Sequence, residues 1–351
     1  MRGVVSCASL VLAACVAANG DYQPAGAEAL GGDEGSSAGS STSGLNDDAA
    51  EGSTEAAIES TDDEGPQPSS TGSDESDDST TGDTEGAGPW VFEGVEQLEV
   101  INALGFDDDD PSLSANGLEL YFASTRSGNE DVYVATRETV GDPWSPPMPL
   151  PGPVNTMARD SSPELSLDGL SMTISSDRGG GLGNLDLFLV TRPALDQPWG
   201  APVHLTELND SNVDGSAVLT SDLTRVFFCS IRGVVGNEDV FVAERKSADL
   251  PFGEPVRLGG EINSDYFDCN PWIDPTGSLM LFSTSRGGVT DSDLVVVEQE
   301  GGSFGAVVSI EGVNTTAREQ DPWLSPDGNE LYFSRSLPTD ETHIFRAVRA
   351  P

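Results

Sequence analysis

The sequence repeats one phrase five times, and this repetition restricts the possible folds more than any other feature. The phrase reads LSANGLELYFASTR from Leu113 and LSPDGNELYFSRS from Leu324. An Arg stands near its end in every copy, at intervals of 52, 54, 54 and 49 residues, and an aromatic residue begins every unit, at intervals of 54, 55, 53 and 52 residues. Two independent landmarks that share one period and one count predict five structural repeats. The landmarks are Arg126, Arg178, Arg232, Arg286 and Arg335, and Trp90, Trp144, Trp199, Phe252 and Phe304.

Each unit is composed of short β-strand patterns separated by turn signals. In the second unit, Asp168-Gly169 is a dipeptide typical of tight hairpins, because both residues tolerate positive φ. The third-strand segments, such as DVYVATR and DLFLVTR, are β-branched and aromatic runs without clean alternation, as expected for strands covered on both faces. A connector such as PWGAPVHL then supplies a fourth, outer strand. Four short strands per unit, repeated radially, predict an all-β fold: a five-bladed β-propeller with four-stranded antiparallel blades.

The two ends of the repeat region predict how the ring closes. Residues 89–351 begin with a connector, PWVFEGVEQLEV, and end after a third strand, HIFRAVRAP. The N-terminal strand is therefore expected to complete the last blade, which leaves no open sheet edge there. One hairpin departs from the pattern, since the third unit has Leu223 where the turn Gly of the other units stands. We expect a longer or irregular hairpin at that position.

The repeated phrase resembles that of a known family. LSPDGNELYFSRS and its weaker copies are similar to the WD40-like (PD40) repeat of TolB-type propellers. The segment FGEPVRLGGEINSDYFDCNP looks like the connector and next blade of PD40 proteins from Gram-negative envelopes. The resemblance covers Trp90 to the end and implies the propeller fold. It implies no particular activity, because that family includes scaffolds, translocation partners and proteins of unknown role.

Residues 15–88 differ in composition from the repeats. Eighteen acidic residues and no Lys or Arg lie between Val16 and Gly88, together with many Gly, Ser and Thr residues. Such a segment cannot bury enough apolar surface to offset its chain entropy, which predicts a disordered tether. The whole chain has a formal net charge of -44. This charge argues against nucleic acid as a partner and against direct docking on anionic lipid, since both need a basic patch.

The first 14 residues have the pattern of a secretory signal peptide. Arg2 precedes the apolar run VVSCASLVLAAC, which is too short to span a bilayer. Its end, Leu12 to Cys15, reads LAAC and resembles the lipobox of bacterial lipoproteins. The resemblance implies cleavage before Cys15 and lipidation of that residue, and several acyl chains anchor far more firmly than one. Val16 favours the outer membrane, on its periplasmic face or at the cell surface; the alternative is a simple cleaved signal with an incidental Cys.

Two further cysteines lie in the predicted propeller. Cys229 and Cys269 stand in consecutive repeats. Two thiols in an oxidising compartment can form one disulfide, but their spacing does not show whether their Cβ atoms approach each other. The pair is therefore a candidate disulfide.

An acidic residue follows a repeated Asn by five positions in every unit. Each acid comes just before the predicted innermost strand, so pseudosymmetry would arrange the five in a ring around the channel. Such a ring could hold a cation, calcium included, or contain a carboxyl group of raised pKa, because like charges disfavour joint ionisation. Alternatively, each acid accepts backbone N–H bonds that connect the blades, and repetition in every blade favours this structural interpretation. The pairs are Asn102/Asp107, Asn155/Asp160, Asn209/Asp214, Asn263/Asp268 and Asn314/Glu319.

Three other patterns have structural interpretations. The repeated Arg is followed by an Asp that begins the next strand, which predicts an Arg–Asp pair across each inner loop. The run Asp107 to Asp110 offers hard oxygen ligands for calcium, although its spacing does not match an EF-hand. RGGGLGN, from Arg178, is interpreted as a loop because it precedes a strand and not a helix. The Asp residues of the first pattern are Asp131, Asp186, Asp239 and Asp293.

Two functions remain open at this level. The first is a lipid-anchored propeller, expected as a monomer without a cofactor, that binds an envelope protein or glycan. The second is a carbohydrate-active enzyme, since five-bladed propellers include glycosidases that use two carboxylates and no His. The sequence has two His residues, neither in a metal-binding pattern, and no GxSxG, CxxC or sialidase-type Asp-box motif. Because no feature distinguishes two of the acids for glycoside cleavage, binding is the favoured prediction.

Overall fold

The computed structural model describes residues 90–233, 237–286 and 291–351. The predicted signal peptide, Cys15 and the tether lie outside the described residues. Within the described ranges every regular element is a β-strand. They contain no helix long and apolar enough to cross a membrane.

The strands form five sheets that correspond to the five sequence repeats. Strand β1 (Phe92–Gln97) precedes the first blade. Blade 1 contains β2 (Asp108–Leu113), β3 (Glu119–Ser124), β4 (Asp131–Thr136) and β5 (Met148–Pro149), and blade 2 contains β6 (Asp160–Leu165), β7 (Ser171–Ser176), β8 (Asp186–Thr191) and β9 (Val203–His204). Blade 3 contains β10 (Asp214–Leu219), β11 (Arg225–Ser230), β12 (Asp239–Glu244) and β13 (Val256–Arg257). Blade 4 contains β14 (Asp268–Ile273), β15 (Leu279–Thr284), β16 (Asp293–Glu300), β17 (Ser303–Phe304) and β18 (Val308–Ser309), and blade 5 contains β19 (Glu319–Leu324), β20 (Glu330–Ser336) and β21 (Thr342–Arg349).

The strands of each blade run antiparallel in chain order from the channel outward, except that the outer strand of blade 5 is β1. The innermost strands β2, β6, β10, β14 and β19 contact one another in sequence, and β19 contacts β2. The predicted all-β, five-bladed propeller is therefore confirmed. Blade 4 has one addition, because β16 continues into a short hairpin with β17 before β18 forms the outer strand.

The N-terminal strand closes the ring, as the sequence predicted. Strand β1 pairs with β21 as the outer strand of blade 5, with Phe92 opposite Arg349 and Gln97 opposite Phe345. The backbone N–H of Phe92 also donates to the carbonyl oxygen of Glu311 at 2.9 Å, which joins the closing strand to blade 4.

The core lies between the faces of adjacent blades. The fourth residue of each second strand is fully buried, and its type is Phe in four blades and Ile in the other. Large apolar side chains are expected here because these strands are covered on both sides by neighbouring blades. Truncation of one such Phe to Ala costs about 3–5 kcal/mol of stability in protein cores. The five residues are Phe122, Ile174, Phe228, Phe282 and Phe333.

The predicted irregular hairpin in the third unit was wrong. The β10–β11 loop spans residues 220–224 and has the same length as the corresponding loop of every other blade. Leu223 adopts φ +57°, close to the φ of +67° to +73° of the Gly at this position in the other blades. The turn geometry is therefore kept, and the cost of a left-handed conformation falls on Leu223 because its Cβ crowds the backbone there.

Candidate functional site

The repeated acids are held by the repeated arginines. Asp160 begins the innermost strand of blade 2, and its carboxylate accepts hydrogen bonds from Arg178, Ser176 and the backbone N–H of Thr156. The Arg178 guanidinium also donates to the carbonyl oxygen of Val154 at 2.6 Å. Blades 3, 4 and 5 repeat this ion pair, and the carboxylate is fully buried in each. Because every acid already has a guanidinium partner, the arrangement favours the structural interpretation of the ring. The three equivalent pairs are Asp214–Arg232, Asp268–Arg286 and Glu319–Arg335.

In blade 1 this position belongs to Asp108 and not to Asp107. Arg126 pairs with Asp108, which is fully buried. The inter-blade loop before it contains one more residue between Asn102 and the strand than its counterparts contain, which shifts the acid by one position. Asp107 instead accepts the backbone N–H of Thr342 at 2.9 Å.

The predicted pairs between each Arg and the following Asp were wrong. In blades 1 to 4 the Arg side chain turns back toward the first residue of the innermost strand, because that residue lies opposite the end of the second strand, two positions before the Arg. In blade 5 Glu319 lies directly opposite Arg335. Asp186 accepts the backbone N–H of Leu182 at 2.7 Å, and Asp239 pairs with Arg257 at 2.7 Å. These acids therefore order loops or outer strands and do not form the predicted series.

The repeated Asn side chains connect the blades. Asn155 Oδ1 accepts the N–H of Val132 at 2.9 Å, and its Nδ2 donates to the carbonyl oxygens of Val132 and Leu150. The same bridge to a third strand recurs in the other four blades. The sequence suggested that the repeated acids connect adjacent blades. In the structure, the side-chain amides of the repeated Asn residues make most of these connections. The other four are Asn102, Asn209, Asn263 and Asn314.

The side chains that line the channel differ in type from blade to blade. The third residue of each innermost strand has a φ of +48° to +53° at an irregularity in the strand register. Each of these residues lines one channel cavity. Their types differ between blades: Asp110, Ser162, Ser216, Asn270 and Asp321. A symmetric fold therefore presents an asymmetric set of groups to the channel.

Carboxyl groups are concentrated at the side of the channel formed by blade 1. Oxygen atoms of Asp109, Asp110 and Glu130 lie within 4.8 Å of one another. Arg159 Nε donates to Glu130 Oε2 at 2.8 Å, whereas Glu130 Oε1 is buried and has no hydrogen-bond partner. Ser162 donates to Asp110 through its N–H and its hydroxyl group. This group is the most concentrated set of hard oxygen ligands found among the described residues.

The surroundings of the channel carboxyls raise their pKa values. Burial raises the pKa of Glu130 to about 7, against the opposing effect of the Arg159 guanidinium. Burial also raises the pKa of Glu238 to about 8, and that of Glu164 to about 8 although its side chain keeps some contact with solvent. The pKa of Asp321 is raised well above its ordinary value by burial and by the adjacent Asp110 carboxylate. These are the unequal carboxyl groups that an acid–base site would require.

The channel cavities are small. The cavity lined by Asp110, Asn270 and Asp321 has a volume of about 30 Å³, and its neighbours along the channel have about 20 and 40 Å³. A buried water needs about 10–15 Å³ in this measure, while pockets for drug-sized ligands measure roughly 300–1,000 Å³. The channel therefore has room for a few waters or an ion, and not for a sugar ring.

A larger cavity lies between blades 3 and 4. In the other blades an Arg stacks on the aromatic residue that begins the next unit. Blade 4 has Gln299 and Phe304 at these positions, and a groove of about 380 Å³ is found there. Its lining includes the apolar Phe227 and the carboxylates of Glu244 and Glu261. The missing guanidinium is what distinguishes this position, because blade 3 also has a Phe here but with Arg245 stacked on it.

The same pair of blades is joined covalently. Cys229 of β11 and Cys269 of β14 form a disulfide in the structure. Both residues are buried next to Phe267, and Cys229 Sγ accepts the N–H of Asn270 at 3.0 Å. This crosslink fixes the innermost strand of blade 4 against the second strand of blade 3, beside the channel.

Large apolar side chains are exposed on both faces of the propeller, and the two most exposed ones lie on the inter-blade face. This inter-blade face is formed by the loops that enter each innermost strand, residues 98–107, 150–159, 205–213, 258–267 and 310–318, and by the described parts of the loops between second and third strands. Met157 is fully exposed and Leu104 is 86% exposed, although both are apolar. Phe106, Leu182 and Tyr266 on the same face are also exposed.

No protein-family model matches the chain, and no curated protein matches it either. Solved structures do match. The α-L-arabinofuranosidase from Lactobacillus brevis has a TM-score of 0.51 at 14% identity, covering 72% of this chain and 94% of that one. A thermostable family-43 glycoside hydrolase has a TM-score of 0.50 at 16% identity, covering 70% and 88%. The putative TolB from Agrobacterium tumefaciens has a TM-score of 0.46 at 15% identity, covering 73% and 97%.

The similarity is one of fold. At these identities it agrees with a five-bladed propeller and does not assign an activity.

Sequence reasoning found the acid and Arg series because they repeat. It noted the Asp107–Asp110 run but missed Glu130, Glu164, Glu238 and Asp321, because an acid stands at each of these repeat positions in only one or two of the five blades. A signal was present, since a polar residue before Pro recurs in four of the innermost strands, as in Asp321-Pro322.

Proposed function

We propose that the protein is an exported, lipid-anchored binding module, and that its inter-blade face contacts a protein partner at the cell envelope. The observation that carries this proposal is the set of exposed apolar side chains on that face, above all Met157 and Leu104. Exposed apolar side chains grouped on one face are typical of protein interaction sites. The repeated ion pairs give the face a rigid support, because each guanidinium is fixed by a carboxylate and a backbone carbonyl.

The lipid anchor is supported by sequence alone. Arg2, the apolar run and LAAC ending at Cys15 are what a lipoprotein signal requires. The outer membrane is the proposed location. Radiolabelled palmitate should label the wild-type protein, and Cys15→Ser should remove the label and shift the protein to the soluble fraction. Labelling that persists in Cys15→Ser would overturn the anchor.

Photo-cross-linking in intact cells tests the binding face. A cross-linking amino acid in place of Met157 or Leu104 is expected to give a discrete product of higher mass. The matched control is Leu250, which is 44% exposed on the opposite face. Equal products from all three positions, or none from the inter-blade face, would contradict the proposal.

The second candidate is a carbohydrate-active enzyme. The observation that favours it is the groove between blades 3 and 4, because its volume fits a sugar and because Glu244 and Glu261 line it. Glu244→Gln or Glu261→Gln should then abolish cleavage of a glycan that the wild type cleaves, while Glu254→Gln, an exposed acid of the same region, should not. No cleavage across a panel of bacterial and plant glycans would remove this candidate.

A further inference from the structure

We propose that Asp109, Asp110 and Glu130 bind a calcium ion in the central channel. The binding site would be independent of the proposed partner face, since it lies inside the ring of blades. It rests on the positions of oxygen atoms, on buried acceptors without donors, and on local charge.

The spacing of the oxygen atoms fits calcium. The three side chains each offer an oxygen atom, and these lie within 4.8 Å of one another. Calcium binds oxygen at 2.3–2.6 Å, so that two opposed ligands are roughly 4.6–5.2 Å apart. Three oxygen atoms within this limit can therefore contact one calcium ion, and carboxylate oxygens are among the ligands that calcium takes.

Buried acceptors without donors form the second, independent observation. Glu130 Oε1 and Asn270 Oδ1 are buried and have no hydrogen-bond partner. Asn270 is 8% exposed and lines the cavity of about 30 Å³ that Asp110 borders. Buried polar atoms normally have partners, and an unsatisfied one costs about 1–3 kcal/mol. Waters on a calcium ion held by Asp110 would supply these hydrogen bonds, and the cavity has room for about two waters.

The local charge points to a divalent ion. Asp109, Asp110 and Glu130 carry three negative charges when ionised, and Arg159, which contacts Glu130, supplies one positive charge. Buried charge is strongly unfavourable unless it is paired, and a divalent cation bound by these carboxylates would lower that cost. Protonation of Glu130 is the competing solution near neutral pH, because burial raises its pKa.

The group occurs in one blade only. At the position of Asp109 the other blades have Ser161, Gly215, Cys269 and Gln320. At the position of Glu130 they have Leu185, Glu238, Ser292 and Thr342. Because the repeat does not require acids at these places, the fold alone does not explain why blade 1 has them.

Calcium binding should be measured on the full chain after removal of metal with EDTA, at pH 7.5 in 150 mM NaCl. Equilibrium dialysis with radioactive calcium counts the ions bound, and thermal unfolding at increasing calcium concentration reports the affinity. We expect one tightly bound calcium per chain and a midpoint that rises until this ion is bound. Weak binding by acids elsewhere on the chain is screened at this ionic strength and adds no saturable component.

Glu130→Gln should weaken the tight binding about tenfold or more, since it replaces a charged ligand. Glu254→Gln is the matched control, because it makes the same change at an exposed acid that lines none of the channel cavities, and it should leave the calcium affinity unchanged. Asp109→Asn is a second ligand variant that decides the matter if Glu130→Gln does not fold. The proposal is overturned if the wild type binds no tight calcium, if Glu130→Gln and Glu254→Gln weaken binding equally, or if magnesium shifts the midpoint as strongly as calcium.

Discussion

The buried carboxyl group of Glu238 makes the stability of the propeller depend on pH. The side chain is 6% exposed, and burial raises its pKa from an ordinary value of 4.5 to about 8, despite the favourable charge of Arg159. Asp110 lines the same cavity, so the charged groups facing Glu238 are one guanidinium and one carboxyl. The native protein therefore holds a proton that the unfolded chain releases above pH 4.5.

The sign and size follow from this difference in proton binding. Because the native state binds more protons, the free energy of unfolding falls as the pH rises from about 4.5, and it levels off above about pH 8. With about 1.4 kcal/mol for each pH unit between the two pKa values, the loss from pH 5 to pH 8 is about 3–4 kcal/mol. Glu238→Gln keeps the shape of the side chain and has no proton to release, so it should not show this loss.

Urea unfolding followed by tryptophan fluorescence, in EDTA and at several pH values, measures the effect. Between pH 5 and pH 8, Glu238→Gln should gain about 3–4 kcal/mol of stability relative to the wild type. Glu254→Gln, an exposed acid in the same blade connector region, should follow the wild type throughout. Parallel curves for the wild type and Glu238→Gln would refute the reasoning, because they would mean that Glu238 ionises in the native state as it does in the unfolded chain.

Three further predictions concern stability and are all measured by urea unfolding at pH 7. Leu223→Gly should raise the free energy of unfolding by about 1 kcal/mol, because it removes the strain of a left-handed Leu. Gly328→Ala, at the same turn of blade 5, should lower the free energy of unfolding by a similar amount. Two changes of the same sign would contradict this account. Arg178→Ala should lower the free energy of unfolding by about 3–5 kcal/mol, because it leaves the buried Asp160 carboxylate without its cation. Lys246→Ala removes an exposed side chain and should have little effect. Equally small losses of stability in both variants would show that the Arg178–Asp160 pair contributes nothing. Reduction of the disulfide, or Cys229→Ser with Cys269→Ser, should cost about 3–4 kcal/mol from loop entropy over the separation of 40 residues, and an unchanged unfolding curve under reducing conditions would oppose it.

The elements that the sequence predicted are those that repetition makes visible. The aromatic and Arg landmarks predicted the five blades because each landmark occurs in all five repeats. The connector at the start of the repeat region, together with the third strand at its end, predicted the closing strand β1. The prediction for Leu223 was wrong because it assumed that a turn without Gly must change its length or geometry. In the structure the hairpin keeps its length, and Leu223 adopts the left-handed φ that Gly has in the other blades. The pairing of Arg178 with Asp160, and not with Asp186, depends on strand register, which places side chains across a sheet and is not readable from spacing alone.

The candidate site was harder to predict because its acids recur in two blades at most and not in all five. Glu130 and Asp321 come from blades 1 and 5, and they meet Asp110 only after the ring has closed. Their raised pKa values arise from burial in a narrow channel, a property of the assembled blades and not of any local segment. The Asp107–Asp110 run was visible in the sequence, but only the structure shows that its members differ in role. Asp107 contacts blade 5, Asp108 forms an ion pair with Arg126, and Asp109 and Asp110 lie at the channel.

The pairing of β1 with β21 has a kinetic consequence. Residues about 250 positions apart, such as Phe92 and Arg349, must meet before the last blade is complete. Contacts of such long range are formed late, since the entropy of closing the chain is lost before they stabilise anything, and proteins rich in them fold slowly. Until the ring closes, blade 5 has an unpaired outer edge that can associate with other chains. A chain that stops before β21 would keep that edge, so incomplete molecules should aggregate or be degraded instead of persisting as smaller propellers.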